Sequence, residues 1–252
     1  MNIALLISGG GTTMEAIIKA TQNGTLKNVF PVLIIASNKN ALGIEKAKKL
    51  GIKDGDILII NPKDFSDREE FGKKIIEESK KRNVDFIGQY GWMVMTPENV
   101  INTYKNMIVN QHPGPLDTGR SDFGGVGMYG MRVHQTRLCF VNKTGRPARN
   151  AFSIADGGGN FWTEATAHRV TTKFDEGVVL KRKQVPILEG DTAESLQQRV
   201  LPIEHEVQIE LLKDFSEGKV AEFHREIPLV LEDEEDILKE CKANAIKMYP
   251  KG

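Results

Sequence analysis

The sequence predicts an α/β fold built on a parallel, Rossmann-like sheet. Short β-branched runs recur through the first 110 residues, and segments with helical spacing separate them. Strands that are buried on both faces of a parallel sheet appear as near-continuous apolar runs, and helical crossovers connect them. The length of 252 residues allows one large α/β domain or two small ones. We favour one domain with an appended tail.

The first part of the chain alternates strand and helix, which implies right-handed βαβ crossovers. The predicted strands are IALLIS (3–8), VFPVLIIAS (29–37), DILII (56–60), DFIG (85–88) and NMIVN (106–110). The predicted helices between them are TMEAIIKATQ, LGIEKAKKLG, DREEFGKKIIEESKKR and PENVINTY.

After Asn110 the pattern changes. Residues 114–162 are rich in Gly and Arg, which favours loops around one short strand, RLCFV (137–141). TEATAHRVT (163–171) alternates, DEG is turn chemistry, and VVLKRKQVPI (178–187) is again strand-like. This segment therefore predicts a hairpin.

Two helices complete the prediction. DTAESLQQRVLPIEHEVQIELLKDFSEG has helical spacing, with Asp191 or Thr192 as N-cap and Pro202 as a candidate kink. LEDEEDILKECKANAIKM indicates an acidic terminal helix, and an acidic run is usually a solvated helix face.

Composition excludes several functional classes. Lys plus Arg and Asp plus Glu are balanced at 34 each, which predicts neither a nucleic-acid nor a membrane partner. We see no cationic leader and no apolar segment of membrane-spanning length. The two cysteines, Cys139 and Cys241, show no CxxC or Cys/His spacing, which argues against a disulfide framework and a zinc site. We therefore expect no metal and a reducing, cytoplasmic compartment.

Polar residues follow the predicted strands one, four and five, which end at Ser8, Gln89 and Asn110. In open parallel sheets the ligand binds beyond these carboxyl ends. Because side chains alternate along a strand, Asn110 and His112 should project to the same side. Taken singly, however, Asn110 and His112 are turn-formers ahead of Pro113.

The glycine loop SGGGTT leads into a helix and allows two interpretations. Orphan backbone N–H groups with two hydroxyls beside them suit a phosphate. The alternative is a tight turn with a Thr N-cap. The spacing is neither GxGxxG nor that of an NTPase phosphate-binding loop, so the loop alone does not decide between them.

Taken in order, the motifs resemble the glycinamide ribonucleotide formyltransferase family of folate-dependent enzymes. The matching segments are MNIALLISGGGTTMEAIIKA, ASNKNALGIEKAKKLGI, FSDREEF, MTPENV, VNQHPGPL, FDEGVVL and GDTAESLQQRV, followed by Glu204-His205. The resemblance covers residues 1–218. It implies a Rossmann-like half (1–110), active-site loops, an insertion and a hairpin (111–190) and a helix (191–218). Residues 219–252 then form a tail with the acidic helix.

The resemblance also assigns roles to residues. The family's catalytic positions fall on Asn110, His112 and Asp175. The positions that bind the nucleotide substrate fall on Gly11, Thr12, Thr13 and Glu204. The positions on the side of the cosubstrate, 10-formyltetrahydrofolate, fall on Arg68, Gly91, Trp92, Met93, Val94, Thr171, Thr172, Lys173 and Phe174. His168 matches a histidine in the family's strand before the aspartate.

The implied reaction transfers a formyl group from 10-formyltetrahydrofolate to glycinamide ribonucleotide in purine synthesis. Asn110 and a protonated His112 would stabilise the oxyanion, and Asp175 is expected to raise the pKa of His112. The expected partners are small molecules, with the protein a monomer or homodimer. Taken singly, Asp175 is a hairpin residue, Glu204 lies on a solvated helix face and Trp92 is core packing.

The chain departs from the family pattern in three places. Met93 stands where the family commonly has arginine, Gly114 replaces a serine, and residues 141–162 form an insertion that carries Arg146 and Arg149. Arg146 and Arg149 could reach the site or a neighbouring subunit. Arg120, Arg132 and Arg137 are the candidate partners for the folate glutamate tail. Formyl transfer to another amine, such as an amino sugar nucleotide, formyltetrahydrofolate hydrolysis and non-catalytic folate or nucleotide binding remain alternatives.

Overall fold

The computed structural model describes residues 1–145 and 161–252. Seven strands are arranged in one sheet. They are β1 (Asn2–Ile7), β2 (Phe30–Ala36), β3 (Ile57–Ile59), β4 (Phe86–Gln89), β5 (Ile108–His112), β6 (Trp162–Arg169) and β7 (Val179–Pro186). Their order across the sheet is β3-β2-β1-β4-β5-β6-β7.

The pairing of the strands confirms the predicted α/β class. The neighbouring strands from β3 to β5 pair in parallel, and β6 pairs with β7 in antiparallel register as the predicted hairpin. All five predicted N-terminal strands are present. β1 is buried along nearly its whole length, as expected for a central parallel strand.

Within residues 1–145 and 161–252, seven α-helices accompany the strands. They are α1 (Thr12–Gln22), α2 (Gly43–Lys49), α3 (Arg68–Lys81), α4 (Glu98–Thr103), α5 (Met131–Thr144), α6 (Ala193–Glu217) and α7 (Glu235–Met248). α3 begins where the Asp67 carboxylate accepts a hydrogen bond of 2.8 Å from the Glu70 N–H. At the start of α6, Thr192 Oγ1 accepts one of 3.2 Å from the Ser195 N–H, which confirms Thr192 as the N-terminal cap.

The described chain divides into two compact units. The first unit comprises Met1–Gln111, Arg169–Thr172 and Gln208–Val220. Its core packs apolar side chains of β1, β2, β4 and β5 against Phe71 and Ile75 of α3. Because α3 presents apolar residues on one face and charged residues on the other, it covers the sheet and leaves ion pairs such as Lys73–Glu69 in solvent.

The second unit comprises His112–His168, Lys173–Val207 and Ala221–Gly252. Its core contains Phe123, Phe140, Trp162, Leu238 and Cys241. The Phe123 and Phe140 rings meet edge to face, with centroids 5.2 Å apart. Residues of α5, β6 and α7 thus share one hydrophobic core.

The prediction of a strand at residues 137–141 is wrong, because these residues lie in α5. Buried side chains recur at Val133, Arg137, Leu138 and Val141, which is the spacing of one helix face. α5 packs against α7. Two buried arginines and a buried histidine interrupt the apolar pattern in the sequence, so the helical period is hidden.

The prediction against a disulfide is also wrong. Cys139 of α5 and Cys241 of α7 are bonded, with 5.6 Å between their Cα atoms. Spacing could not reveal this pair, because 102 residues separate the two cysteines and helix packing brings them together. The expectation of a reducing compartment loses the support that it drew from the cysteines.

Candidate active site

Three polar side chains of the second unit meet at the end of β5. His112 ends β5, His168 lies in β6, and Asp175 lies in the turn before β7. His112 Nδ1 is 3.7 Å from Asp175 Oδ2, and His168 Nε2 is 3.4 Å from Asp175 Oδ1. All three side chains are buried. The structure therefore brings His112 and Asp175 together, as predicted, and adds His168.

A different loop, which contains Gly124 and Gly125, closes around the Asp175 carboxylate. The Gly125 N–H donates a hydrogen bond of 2.8 Å to Asp175 Oδ2. A Cβ placed on Gly124 would lie 2.7 Å from the Asp175 Cβ, so only glycine leaves room there. Asp175 itself has a φ of 57°, a left-handed conformation that costs about 1 kcal/mol for a non-glycine residue. Its hydrogen bonds hold the carboxylate in place against that cost.

Burial and charge shift the pKa values of His112 and Asp175 in opposite directions. Burial raises the pKa of Asp175, but the charge of His112 and the hydrogen bonds from His168 and Gly125 together leave it below its ordinary value. Burial lowers the pKa of His112 to about 4, because it outweighs the raising effect of Asp175. Asp175 thus has the raising effect that the sequence predicts, but the net pKa of His112 is lowered. At neutral pH the pair is an anionic carboxylate beside a neutral imidazole.

One nitrogen of His112 is left available. Its Nε2 is buried and has no hydrogen-bond partner among residues 1–145 and 161–252. The ring also makes a hydrogen bond to the backbone of Phe123. A neutral imidazole with one free nitrogen can accept a proton there and then hold it as an ion paired with Asp175.

His134 in α5 is a further buried histidine, and the sequence assigned it no role. Neither ring nitrogen has a hydrogen-bond partner in the part of the chain that the structure describes. Burial, followed by the charge of His112, lowers its pKa from 6.5 to about 4. Between these values the unfolded chain binds more protons than the folded one. The stability is therefore complete above about pH 6.5 and falls as the pH drops towards 4.

As the pH falls from about 7.5 to about 5, we expect the lowered pKa of His134 alone to reduce the free energy of unfolding by about 2 kcal/mol. His134→Asn should abolish that part of the pH dependence, because asparagine does not titrate. Urea unfolding at both pH values measures it. His224→Asn, at an exposed position, is the matched control and should keep the wild-type pH dependence. Equal pH dependence in His134→Asn and the wild type would contradict a lowered pKa.

Asn110, the third predicted catalytic residue, also lies in β5 and is half-buried. It precedes His112 by two positions, and alternate side chains of a strand project to the same face. That the Asn110 and His112 side chains act together stays a prediction.

The glycine loop SGGGTT, residues 8–13, belongs to the first unit. α1 begins at Thr12, and its N-cap is Gly11, with a φ of 62° and no capping side chain, so the alternative of a Thr N-cap is wrong. A Cβ on Gly11 would lie 2.7 Å from the Gly43 Cα, which explains the glycine. Gly9 and Gly10 have no atom within 4 Å of a Cβ position. The loop thus keeps open space beside first-turn N–H groups that no side chain caps.

Residues 91–94 are tied to the end of β1. The Ser8 N–H donates to the Gly91 carbonyl over 3.0 Å, and the Met93 N–H donates to Ser8 Oγ over 2.9 Å. Trp92 is buried and stacks on Phe71, with ring centroids 6.4 Å apart. Met93, at 52% exposure, is the side chain that faces solvent. The Trp92 ring therefore serves the core, as the packing alternative predicted.

An open cavity of about 510 Å³ in the first unit is lined by Arg68 and Thr172, both predicted on the folate side. Arg68 is the first residue of α3 and donates a hydrogen bond of 3.3 Å to the Met95 carbonyl. Asn99 and Asn102 line the same cavity. A guanidinium at the wall of an open cavity can pair with a carboxylate.

Other predicted binding residues differ in exposure. Glu204 is buried within α6. Lys173 lies 3.3 Å from the Glu176 carboxylate. The residues just before Asp175 are all exposed, namely Thr171, Thr172, Lys173 and Phe174.

The candidate arginines of the second unit are engaged in structural contacts. Arg120 pairs with Asp122 at 3.0 Å. Arg132 is buried and donates to the carbonyls of Gly127, Tyr249 and Pro250. Arg137 is buried and donates to the Trp162 carbonyl over 2.9 Å. Arg146 and Arg149 lie outside the described residues, as does most of the predicted insertion.

Lys242 and Asp122 lie near the site, although nothing in the sequence singled them out. Lys242 Nζ donates a hydrogen bond of 2.9 Å to the Gly124 carbonyl. Burial raises the pKa of Asp122 to about 6, against the lowering effect of Arg120. Within the described ranges, no group of three or more His, Cys, Asp or Glu side chains could hold a metal ion. In the same ranges, no helix has both the length and the apolar character that a membrane crossing requires.

Two proteins with sequences similar to this chain carry the same name. The phosphoribosylglycinamide formyltransferase of Schizosaccharomyces pombe is 30% identical over 219 residues, which cover 84% of this chain and 95% of that protein. The chloroplastic enzyme of the same name from Vigna unguiculata is 28% identical over 230 residues. That alignment covers 90% of this chain, which spans only 65% of the length of that relative.

Solved structures agree with this relationship. Glycinamide ribonucleotide transformylase 1 from Symbiobacterium toebii has a TM-score of 0.69 at 27% identity, covering 86% of this chain and 88% of that one. Phosphoribosylglycinamide formyltransferase from Brucella melitensis has a TM-score of 0.66 at 29% identity, covering 88% and 98%. The formyl transferase family profile matches residues 1–118 and 150–212. The predicted family is thereby confirmed, and the chain belongs to the formyl transferase family.

Proposed function

We propose that this protein transfers a formyl group from 10-formyltetrahydrofolate to the amine of glycinamide ribonucleotide. The observation that carries the proposal is the buried Asp175 carboxylate beside His112, whose Nε2 has no partner in the described part of the chain. The pair lies at the carboxyl end of β5, where parallel sheets bind ligands. Relatives named for this acceptor support the choice of glycinamide ribonucleotide.

The chemistry makes two demands on the protein. The amine nitrogen attacks the formyl carbon, a C–N bond forms, and the carbonyl oxygen becomes an oxyanion. When this tetrahedral intermediate collapses, the bond to N10 of the folate breaks. The proton lost by the amine ends on N10, so the site must stabilise an oxyanion and move one proton.

In this proposal His112 moves the proton. Its neutral Nε2 accepts the proton of the attacking amine, and the imidazolium that forms is stabilised by Asp175. The charged ring then donates to the oxyanion and returns the proton to N10. The side-chain N–H of Asn110 donates to the same oxygen, and removing a donor of this kind typically costs about a hundredfold or more in rate. None of these steps needs a metal ion.

The proposed binding roles are those that the family resemblance implies. Gly11, Thr12 and Thr13 would bind the phosphate at the start of α1, and Glu204 would bind the ribose hydroxyls. The folate would contact residues 91–94 and 171–174. Arg68, at the wall of its cavity, would pair with the carboxylates of the folate glutamate tail.

The test is a spectrophotometric assay on the purified protein. A 10-formyl folate is offered with glycinamide ribonucleotide, with an amino sugar nucleotide and with no acceptor. Loss of the formyl group only with the ribonucleotide supports the proposal, while turnover with another amine or with water alone overturns the acceptor. Glycinamide riboside, which lacks the phosphate, is the matched control and should show a raised KM.

A further inference from the structure

The ammonium group of Lys242 contacts the loop at Gly124 and Gly125, which holds Asp175. Lys242 lies on α7, is half-buried, and donates its hydrogen bond of 2.9 Å to the Gly124 carbonyl. Lys239, one turn earlier on the same helix, is instead exposed and pairs with Asp236. The helix therefore carries one lysine towards the loop and another towards solvent.

A single peptide group connects Lys242 to Asp175. Its carbonyl oxygen, from Gly124, accepts the hydrogen bond of Lys242, and its N–H, from Gly125, donates to Asp175 Oδ2 over 2.8 Å. A cation bonded to an amide oxygen polarises the amide and strengthens its N–H as a donor, because successive hydrogen bonds reinforce one another. The charge of Lys242 thus acts on Asp175 through two consecutive hydrogen bonds.

α7 is well anchored. Cys241, the residue before Lys242, is bonded to Cys139 of α5. The chain after α7 is also held, because Arg132 of α5 donates to the carbonyls of Tyr249 and Pro250 over 2.8 Å each. These ties fix the part of the helix from which Lys242 projects.

We propose that Lys242 is a positioning residue for the reaction: through the Gly124–Gly125 peptide group it holds the Asp175 carboxylate within reach of His112. This inference rests on the proposed function. Lys242 lies outside the residues that match the family, 1–118 and 150–212, so the support comes from this chain's own C-terminal helix.

Charged and titratable groups face this cluster from each element packed around it. They are His112 of β5, His134 of α5, His168 of β6, Lys242 of α7, and Asp117, Arg120 and Asp122 of the segment after β5. Burial lowers the pKa of Lys242, while Asp122 and Asp175 act to raise it. Lys242 in turn helps to lower the pKa of His112. Its removal should therefore make His112 easier to protonate.

The first measurement is the pH profile of kcat/KM for formyl transfer. Lys242→Met removes the charge at similar volume, Lys242→Arg keeps it, and Lys239→Met is the matched control on the same helix. We expect Lys242→Met to lower kcat about tenfold and to move the acid limb up by about half a pH unit or more, as for the loss of one nearby charge. Lys242→Arg should recover most of the activity, and Lys239→Met should match the wild type.

The second measurement needs no activity. The His112 imidazole is titrated by NMR in ¹³C-histidine-labelled protein, and its midpoint should rise in Lys242→Met but not in Lys239→Met. Should Lys242→Met fail to fold, Lys242→Gln replaces it, since glutamine keeps an N–H donor without the charge. An unmoved midpoint, or an unmoved acid limb with equal losses in Lys242→Met and Lys242→Arg, overturns the proposal and leaves Lys242 a structural role. Absence of turnover in the wild type would overturn the proposed function, while the titration would still decide the part of Lys242.

Discussion

We expect His112→Ala and Asp175→Asn each to lower kcat for formyl transfer by a factor of about 1000 or more, while glycinamide ribonucleotide still binds within about twofold of the wild type. In the proposed mechanism the first variant removes the group that takes the proton, and the second removes the charge that stabilises the imidazolium. Losses of general acid–base catalysis fall in the range of about 100 to 10,000-fold. Steady-state kinetics and calorimetric binding of the ribonucleotide measure the two quantities separately.

Asp175→Asn is a clean substitution for this purpose. Asp175 has a φ of 57°, and asparagine adopts that left-handed conformation readily, so the backbone is expected to stay in place. The matched control for His112→Ala is His224→Ala, because His224 is an exposed histidine of the same unit. Near-wild-type kcat in either active-site variant would remove that residue from the catalytic assignment.

Arg225→Met lowers the free energy of unfolding by about 3–5 kcal/mol, the range found when one partner of a buried ion pair is removed. The Arg225 side chain is 3% exposed and lies between two buried carboxylates. Its Nε is 2.6 Å from Asp117 Oδ1, and its Nη2 donates to Glu164. Its guanidinium also stacks over the Trp162 and Phe223 rings. Methionine fills the space but leaves both carboxylates without this partner.

Urea unfolding at neutral pH measures the effect. The matched control is Lys219→Met, since Lys219 is 70% exposed and its ion pair with Glu217 lies in solvent. We expect the control to change stability by less than about 1 kcal/mol. Arg225→Lys keeps one charge but loses the planar fork and should fall between the two. A loss below about 1 kcal/mol in Arg225→Met would show that the buried pair is energetically replaceable.

The sheet could be predicted because its signals are local. Each strand from β1 to β5 is a compact apolar run, and the β6–β7 hairpin alternates around a turn. α5 could not be recognised, because Arg132, His134 and Arg137 occupy its buried face, and the two arginines are stabilised by partners distant in sequence. The Cys139–Cys241 bond could not be predicted either, because the two cysteines are distant in sequence.

The proximity of His112 and Asp175 was predictable, but the environment of the two side chains was not. Motif order pointed to His112 and Asp175, and alternation along a strand placed Asn110 on the side of His112. The net pKa of His112 depends on how completely the ring is buried, which no local pattern shows. Lys242 was missed because α7 begins with a run of acidic residues that reads as a solvated surface.

The Cys139–Cys241 bond closes a covalent ring across a sequence separation of 102 residues. Asp175 and Glu204 belong to that ring, whereas His112 precedes it in the chain and Lys242 directly follows it. A single backbone cut anywhere inside the ring therefore leaves one covalent molecule, whose pieces separate only after reduction. Covalent continuity of this part of the protein thus depends on two sulfur atoms as much as on the peptide chain.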